Sequence, residues 1–273
     1  MDDRISITID GGVADVRMIR TDKMNALDDG MFEALIAAGE RLRNEPGLRA
    51  VVLSGEGRAF CAGLDMGNFG KMAAGSAAES GGAASHSSLA SRTHGVANRA
   101  QYAVWVWREI PVPVIAAVHG VAFGGGFQLM LGADMRYIAP DTRLAVLEIK
   151  WGLIPDMAGT QLMKHLVRED IVRELTYTGR VFSGEEALVM GFATRVCVDP
   201  RAEALATARD IAGKSPHAIR AGKRLLNAAV DVGPAAGLLQ ETDEQVALIG
   251  GPNQVEAIMA NMQKRPPAFA DPG

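Results

Sequence analysis

Two glycine-rich corners hold the residues best suited to chemistry. Phe60-Cys61-Ala62-Gly63-Leu64-Asp65 follows the short apolar run Ala50–Leu53, and Gly120-Val121-Ala122-Phe123-Gly124-Gly125-Gly126 precedes a predicted helix. Glycine lets a ligand approach the backbone closely. A helix start leaves amide N–H groups without partners and carries a partial positive charge. Two such corners together can form a pocket for a developing oxyanion. Either corner alone is also what an ordinary tight turn looks like. A phosphate loop fits poorly. There is no GxxxxGK[ST], and Gly124-Gly125-Gly126-Phe127-Gln128 lacks the dinucleotide-binding spacing.

Carboxylates are the next candidates. Glu148 interrupts the apolar run Ala145-Val146-Leu147-Glu148-Ile149, and Asp156 follows eight residues later. Unpaired carboxylates are seldom buried, so Glu148 is either functional or paired with Lys150 or Arg143. Asp156 is either functional or the cap of a helix starting near Met157-Ala158-Gly159. Cys61 adjoins the first corner but has no activating histidine near it in sequence, which argues against a nucleophilic thiolate. His86 and His94 read as surface residues, His119 as a packed residue at a strand end, and Trp105 and Trp107 as core.

These residues need elements to hold them. Ile5–Ile9 alternates, Asp10-Gly11-Gly12 turns, and Val13–Ile19 continues as a second strand. Asp28 can cap a helix carrying Met31, Leu35, Ile36 and Leu42 on one face. Ala50–Leu53 and Val112–Val118 read as buried strands, Gly124 to about Gly132 as a helix, and Met135–Ala139 as a strand. From Gly67 to about Gly95, alanine, serine and glycine dominate, which reads as a mobile insertion of the kind that forms a lid, not as a linker between domains. Ala202–Ile211 and Pro216–Val230 read as helices, with another beginning near Pro252. Alternating strands and helices predict an α/β fold with a largely parallel sheet. Residues 1–198 form its core domain, and 199–273 a helical C-terminal region.

Bulk properties exclude several partners. The 273 residues are 48% hydrophobic and 22% charged, near the soluble globular average, so one sizeable core is within reach. A net charge of −4, with no long basic run, disfavours nucleic acid and anionic membranes. The stretch from Ile110 to Leu131 is too broken by proline and glycine to span a bilayer. Two unclustered cysteines disfavour a zinc site or a disulfide framework, and with no signal pattern at the N-terminus they fit a cytoplasmic protein.

Several blocks resemble the crotonase (enoyl-CoA hydratase/isomerase) superfamily. They are Asn25-Ala26-Leu27, Ala59–Asp65, Pro113–Gly120, Gly124–Gly126, Gly152–Pro155 with Gly159-Thr160, Thr178-Gly179 with Glu186-Ala187 and Gly191, and Lys264–Pro267. They keep their order along nearly the whole chain. The resemblance implies a spiral of β–β–α units with a helical C-terminal region, assembled as trimers or hexamers. It implies an acyl-CoA substrate, with CoA as the substrate's handle and no metal or other cofactor. The amides of Leu64 and Gly125 become the oxyanion hole for the thioester carbonyl. The Ala62 backbone and Asp65 fall to the CoA-binding corner, and Lys23 to its phosphates.

The same resemblance bears on the reaction. Family hydratases carry two glutamates that hold water; here the first position is Gln128 and the second Glu148. An amide exchanges no proton near neutrality, so the resemblance implies that Gln128 is a polar wall of the pocket. Dienoyl-CoA isomerases of the family resemble this chain in pairing a glutamate with an aspartate at the spacing of Glu148 and Asp156. Aryl-CoA dehalogenases add a histidine near the position of Gln101, which this chain lacks. Isomerisation of an enoyl- or dienoyl-CoA is therefore favoured, with Glu148 and Asp156 as the catalytic carboxylates. Hydration is the alternative, and a catalytically weak acyl-CoA-binding protein is the alternative of another class.

Overall fold

The computed structural model describes residues 3–68 and 89–272. The chain opens as a hairpin of β1 (Ile5–Asp10) and β2 (Val13–Met18), antiparallel, with Asp10 opposite Val13. Gly11 and Gly12 link them at φ 55° and 78°. That left-handed pair matches the twist of the strands it joins. β3 (Ala50–Gly55), β4 (Val114–Val118), β5 (Val121–Phe123), β6 (Met135–Ile138), β7 (Arg143–Ala145) and β8 (Arg195–Val196) follow. The main sheet has the order β1-β2-β3-β4-β6-β8, parallel beyond the hairpin, and β5 pairs with β7 in a separate parallel ribbon. Every residue of β3 and β4 is buried, as continuous apolar runs covered on both faces should be.

Helices α1 (Asp29–Arg43), α2 (Arg99–Glu109), α3 (Gly125–Leu131), α4 (Gly159–Met163), α5 (Glu169–Thr178) and α6 (Gly184–Met190) precede the C-terminal segment. Asp28 caps α1 by accepting from the Met31 amide at 2.8 Å. Met31, Leu35, Ile36 and Leu42 are then buried together, as their spacing predicts. Asn98 and Gln101 form a reciprocal capping box at the start of α2, which gives Gln101 a structural role.

Against the other sheet face, Ala204 and Ala208 of α7 (Pro200–Ala212) pack on Val13, Val52, Ile115 and Tyr137. The helix just past residue 198 therefore belongs to the core. α8 (Pro216–Ala228), α9 (Pro234–Leu248) and α10 (Pro252–Gln263) complete the chain, each with proline in its first turn. Lys223 ties α8 to the sheet, donating to Asp134 Oδ2 at 2.7 Å and to the Val112 carbonyl at 2.9 Å.

β4 begins at Val114 rather than Val112, because proline at 113 has no N–H for the ladder. α5, α6 and α9 escaped the sequence reading. α9 buries none of its residues, so it lacks the one-sided apolar stripe by which a helix is read. No helix among the described residues is long and apolar enough to cross a membrane.

Candidate active site

The two glycine corners meet. Phe123 donates its amide to the Cys61 carbonyl at 3.1 Å, and Cys61 donates to Val121 at 3.0 Å. Gly63 packs so tightly on the second corner that a methyl there would stand 2.6 Å from the Phe123 carbonyl oxygen and 3.7 Å from the Gly125 nitrogen. Gly124 adopts φ 49°, ψ −116°, a conformation that side chains resist. Its amide donates to Ala145 at 3.0 Å, so the β5–β7 pairing holds the corner beside the segment leading to Glu148. Neither the Leu64 nor the Gly125 amide has an acceptor among the described residues, and both residues line one cavity. Gly125 also opens α3, where the helix end favours negative charge.

That cavity measures about 420 Å³. Phe32, Leu64, Met66, Leu89, Phe123, Trp151 and Met157 give it a largely apolar wall, and among the described residues Glu148 and Asp156 are the two charged ones lining it. Glu148 begins a 3₁₀ turn (Glu148–Trp151), with its Oε1 lying 3.3 Å from where a methyl on Gly124 would sit. Gln128 donates from Nε2 to that Oε1 at 2.6 Å. The other oxygen, Oε2, is buried and has no partner among the described residues. Glu148 makes no ion pair there either: Lys150 lies over the Trp151 ring and Arg143 over the Phe123 ring. Burial raises the Glu148 pKa, and the charge of Asp156 adds to the rise, against the lowering effect of hydrogen bonds from backbone and Gln128.

Asp156 does not cap α4, because the residue before that helix is Ala158, at φ 64°. Its carboxyl pKa is also raised by desolvation within the cavity wall. The residue is open to water on one side, so solvent tempers this shift more than the one at Glu148.

Other predicted site residues fall in different places. Ala62 lines the cavity, and its amide donates to Met24 at 2.9 Å. Lys23 is exposed on a 3₁₀ turn one residue before Met24 and does not line the cavity. Asp65 is a brace under the corner, accepting from Arg20 at 2.7 Å and from the Gly67 amide at 2.8 Å. Burial opposes its ionisation, but the Gly67 amide and the Arg20 guanidinium outweigh it and hold the pKa below the usual range. Arg20 reaches Asp28 as well, tying the first corner to the cap of α1. This brace went unread because its members are far apart in sequence.

Gln128 requires a correction. Read as a pocket wall, it lies instead behind Glu148, 1% exposed, and does not line the cavity. Its Oε1 accepts from the Met157 amide at 2.8 Å and the Gly159 amide at 3.0 Å. An amide side chain long enough to bridge two backbone N–H groups and a carboxylate does so at this depth, because buried polar atoms need partners.

Burial pushes the Cys61 thiol up to about 12, which leaves it un-ionised at neutral pH. His119 bonds the Gly57 carbonyl at 2.9 Å just past β4, His94 stacks on Tyr102, and Trp107 is fully buried with its indole N–H on Ala103. Of the Gly67–Gly95 stretch, residues 69–88, including His86, lie outside the described residues. Among the described residues no His, Cys, Asp or Glu cluster could hold a metal ion.

Comparison with known proteins supplies a context for this geometry. A family model described as Enoyl-CoA hydratase/isomerase matches residues 8–272. The mitochondrial Delta(3,5)-Delta(2,4)-dienoyl-CoA isomerase of Mus musculus is 30% identical over 257 residues, 93% of this chain and 77% of that one. The mitochondrial methylglutaconyl-CoA hydratase of Mus musculus is 28% identical over 256 residues, 90% and 75% of the two chains. A crystal structure of an enoyl-CoA hydratase from Bacillus anthracis superposes with a TM-score of 0.84 at 27% identity, covering 97% of this chain and 98% of that one.

Proposed function

The chain belongs to the enoyl-CoA hydratase/isomerase family, and from that premise we propose that it moves a carbon–carbon double bond in an enoyl- or dienoyl-CoA. One observation carries the choice of reaction. Glu148 and Asp156 share an apolar cavity with two acceptor-free amides, while residue 128, where a second water-activating glutamate would stand, is an amide fully committed to other partners.

The chemistry follows from those positions. Glu148 removes a proton from carbon 2 of a 3-enoyl thioester. The C–H electron pair moves toward the carbonyl, whose oxygen becomes an oxyanion. The Leu64 and Gly125 amides stabilise it, each donor contributing roughly 3–4 kcal/mol. As the carbonyl re-forms, the pair shifts outward, a double bond appears between carbons 2 and 3, and Glu148 returns its proton to carbon 4. In a 3,5-diene the charge reaches carbon 6, and Asp156 supplies that proton; water exchange on its open side then resets the pair. A base with a raised pKa suits proton transfer near neutrality. A proton leaves carbon 2 and a proton arrives farther along the chain, with no net oxidation of the substrate, so the step calls for no metal or redox group.

CoA enters as the handle of the substrate, its adenine against the Ala62 backbone and its phosphates toward Lys23, with Asp65 bracing the corner. The apolar wall suits an uncharged acyl group. Trimers, or hexamers built from two of them, cover the apolar faces of the C-terminal helices.

The test offers a 3-enoyl-CoA and follows the absorbance of the conjugated product, which should rise. Rapid loss of conjugated absorbance from crotonyl-CoA at ordinary enzyme levels would overturn isomerisation in favour of hydration. Tight acyl-CoA binding without turnover of either would make the protein a binding module.

A further inference from the structure

We infer that Gln128 is the positioning residue that sets the geometry of both carboxylates, fixing Glu148 by its Oε1 and leaving Oε2 as the oxygen that exchanges the substrate proton. The inference rests on the isomerase reading for what the carboxylates do, and on geometry alone for how they are held.

The hydrogen bonds fix the orientation of the amide. Two backbone N–H groups, from Met157 and Gly159, converge on one end of Gln128, and only an oxygen can accept them. The other end is therefore NH₂, and it faces Glu148 Oε1 at 2.6 Å. That oxygen is occupied, whereas Oε2 is buried and unpartnered, in a residue that lines the cavity. An unsatisfied buried oxygen is costly unless something else, here a substrate C–H under attack, makes use of it.

The same side chain governs the second carboxylate. Its two acceptor bonds straddle Ala158, which sits in the left-handed region at φ 64°. Alanine resists that conformation, so the turn directly after Asp156 needs an external hold. Met157 within this turn also packs at the second corner: a methyl on Gly125 would meet its Sδ at 2.8 Å. One amide thus couples the base, the turn after its companion and the oxyanion corner.

Few charges confuse a titration of Glu148. Asp156 acts on it from the following loop. Arg143 and Lys150 are turned onto aromatic rings. On α5, which packs on the 3₁₀ turn, Arg173 pairs with Glu169 and Glu174 with Arg180.

The experiment compares Gln128→Met and Gln128→Glu with the full-length parent. Each is read by the pH–rate profile of 3-enoyl-CoA isomerisation and by a ¹³C-carboxyl NMR titration of Glu148, which needs no turnover. Gln128→Met removes a donor that favours the ionised form, so the Glu148 midpoint and the acid limb should rise by about one to two pH units. Its kcat should fall by about tenfold or more, with KM little changed. Gln128→Glu keeps the two backbone bonds and places a second carboxyl against Oε1, so the pair must share a proton and the Glu148 midpoint should rise further. That variant keeps the side chain's size and stands in should the methionine variant fail to fold. Unmoved midpoints in the variants that fold would reduce Gln128 to packing and overturn the inference, even with the isomerase activity intact. A shifted titration in a protein that turns over no acyl-CoA would uphold the tether and overturn the reaction instead.

Discussion

The site and the C-terminal helices are unfinished in opposite ways. Around the cavity, buried polar groups are matched by partners: Asp65 by Arg20, Gln128 by three neighbours, and Asn25 Nδ2 by the carbonyls of Glu56 and Ala59. What stays open there among the described residues is polar: the Leu64 and Gly125 amides, Glu148 Oε2 and the buried Asn25 Oδ1. On α8 to α10 the open groups are apolar. Leu226 is 74% exposed, Leu238 63% and Met262 75%. Unmatched polar atoms in a cavity await a small ligand whose charge develops there. Unmatched apolar side chains on helices await another surface. The molecule thus leaves polar atoms open in its cavity and apolar side chains open on its C-terminal helices.

The sharpest way to break this contrast is at Glu148. The variant Glu148→Gln keeps the shape and still offers an oxygen to Gln128, but its amide cannot take a proton. Isomerase kcat should drop by about 10²–10⁴-fold while acyl-CoA binding, measured calorimetrically, is retained. Stability should move the other way. A carboxylate with a raised folded pKa binds protons more tightly when folded, so its contribution is favourable below the unfolded value and is lost as pH rises through the folded one. The variant should therefore melt higher than the parent at neutral pH, and the gap should close on acidification. A parent whose rate does not decline below neutrality, or a variant with normal turnover, would remove Glu148 from the chemistry.

The corner itself is the next place to press. A methyl on Gly126 would stand 2.3 Å from the Cys61 carbonyl oxygen, a contact that real structures avoid. Gly126→Ala must push the two corners apart. Displacements near 1 Å cost about 10²-fold in rate, so kcat/KM should fall by that order with the circular dichroism of the fold preserved. Gly222, on α8 with open space beside it, is the control at which alanine should leave the rate unchanged.

The apolar side of the contrast has a smaller expected effect on chemistry and a larger one on mass. Leu226→Asp combined with Leu238→Asp should shift sedimentation equilibrium from an assembly of several chains toward a single chain. A parent that sediments as one chain would mean that these faces are uncovered in solution and would break the comparison outright.

Legibility in the sequence followed the range of the interactions. The Gly11-Gly12 turn, the Asp28 cap and the glycine-opened α3 are local, and each was read from a few neighbouring residues. Proline at the start of α8 and α10 was equally readable. α6 carried a signal that went unused: Ser183 and Glu186 form a capping box of the S-x-x-E type. The pocket-lining positions 64, 125, 148 and 156 came from a resemblance spread over the chain, which already encodes how distant segments meet. Gln128 was misplaced because its neighbours lie 20 to 31 residues away, and spacing alone does not say whether a polar residue faces a cavity or stands behind it. The Arg20–Asp65 brace spans 45 residues and is invisible for the same reason.

The mildest test separates strain from function at the turn after Asp156. Ala158→Gly relieves a left-handed alanine, a gain of about 1–2 kcal/mol, against roughly 0.4–1 kcal/mol of added freedom in the unfolded chain. The net should be a stabilisation of about 0.5–1 kcal/mol, visible as a rise of about 1–4 °C in Tm. With Gln128 still bonded to Met157 and Gly159, the turn keeps its shape and kcat should stay within about twofold. Without that hold alanine is driven out of the left-handed region, whereas glycine occupies it without strain. In the Gln128→Met background, Ala158→Gly should therefore restore part of the lost kcat rather than leave it alone. The two substitutions touch one network, so their effects should be non-additive. Additive effects would mean that the turn holds itself, and the division between a self-satisfied site and open helical faces would have to be drawn without Gln128 at its centre.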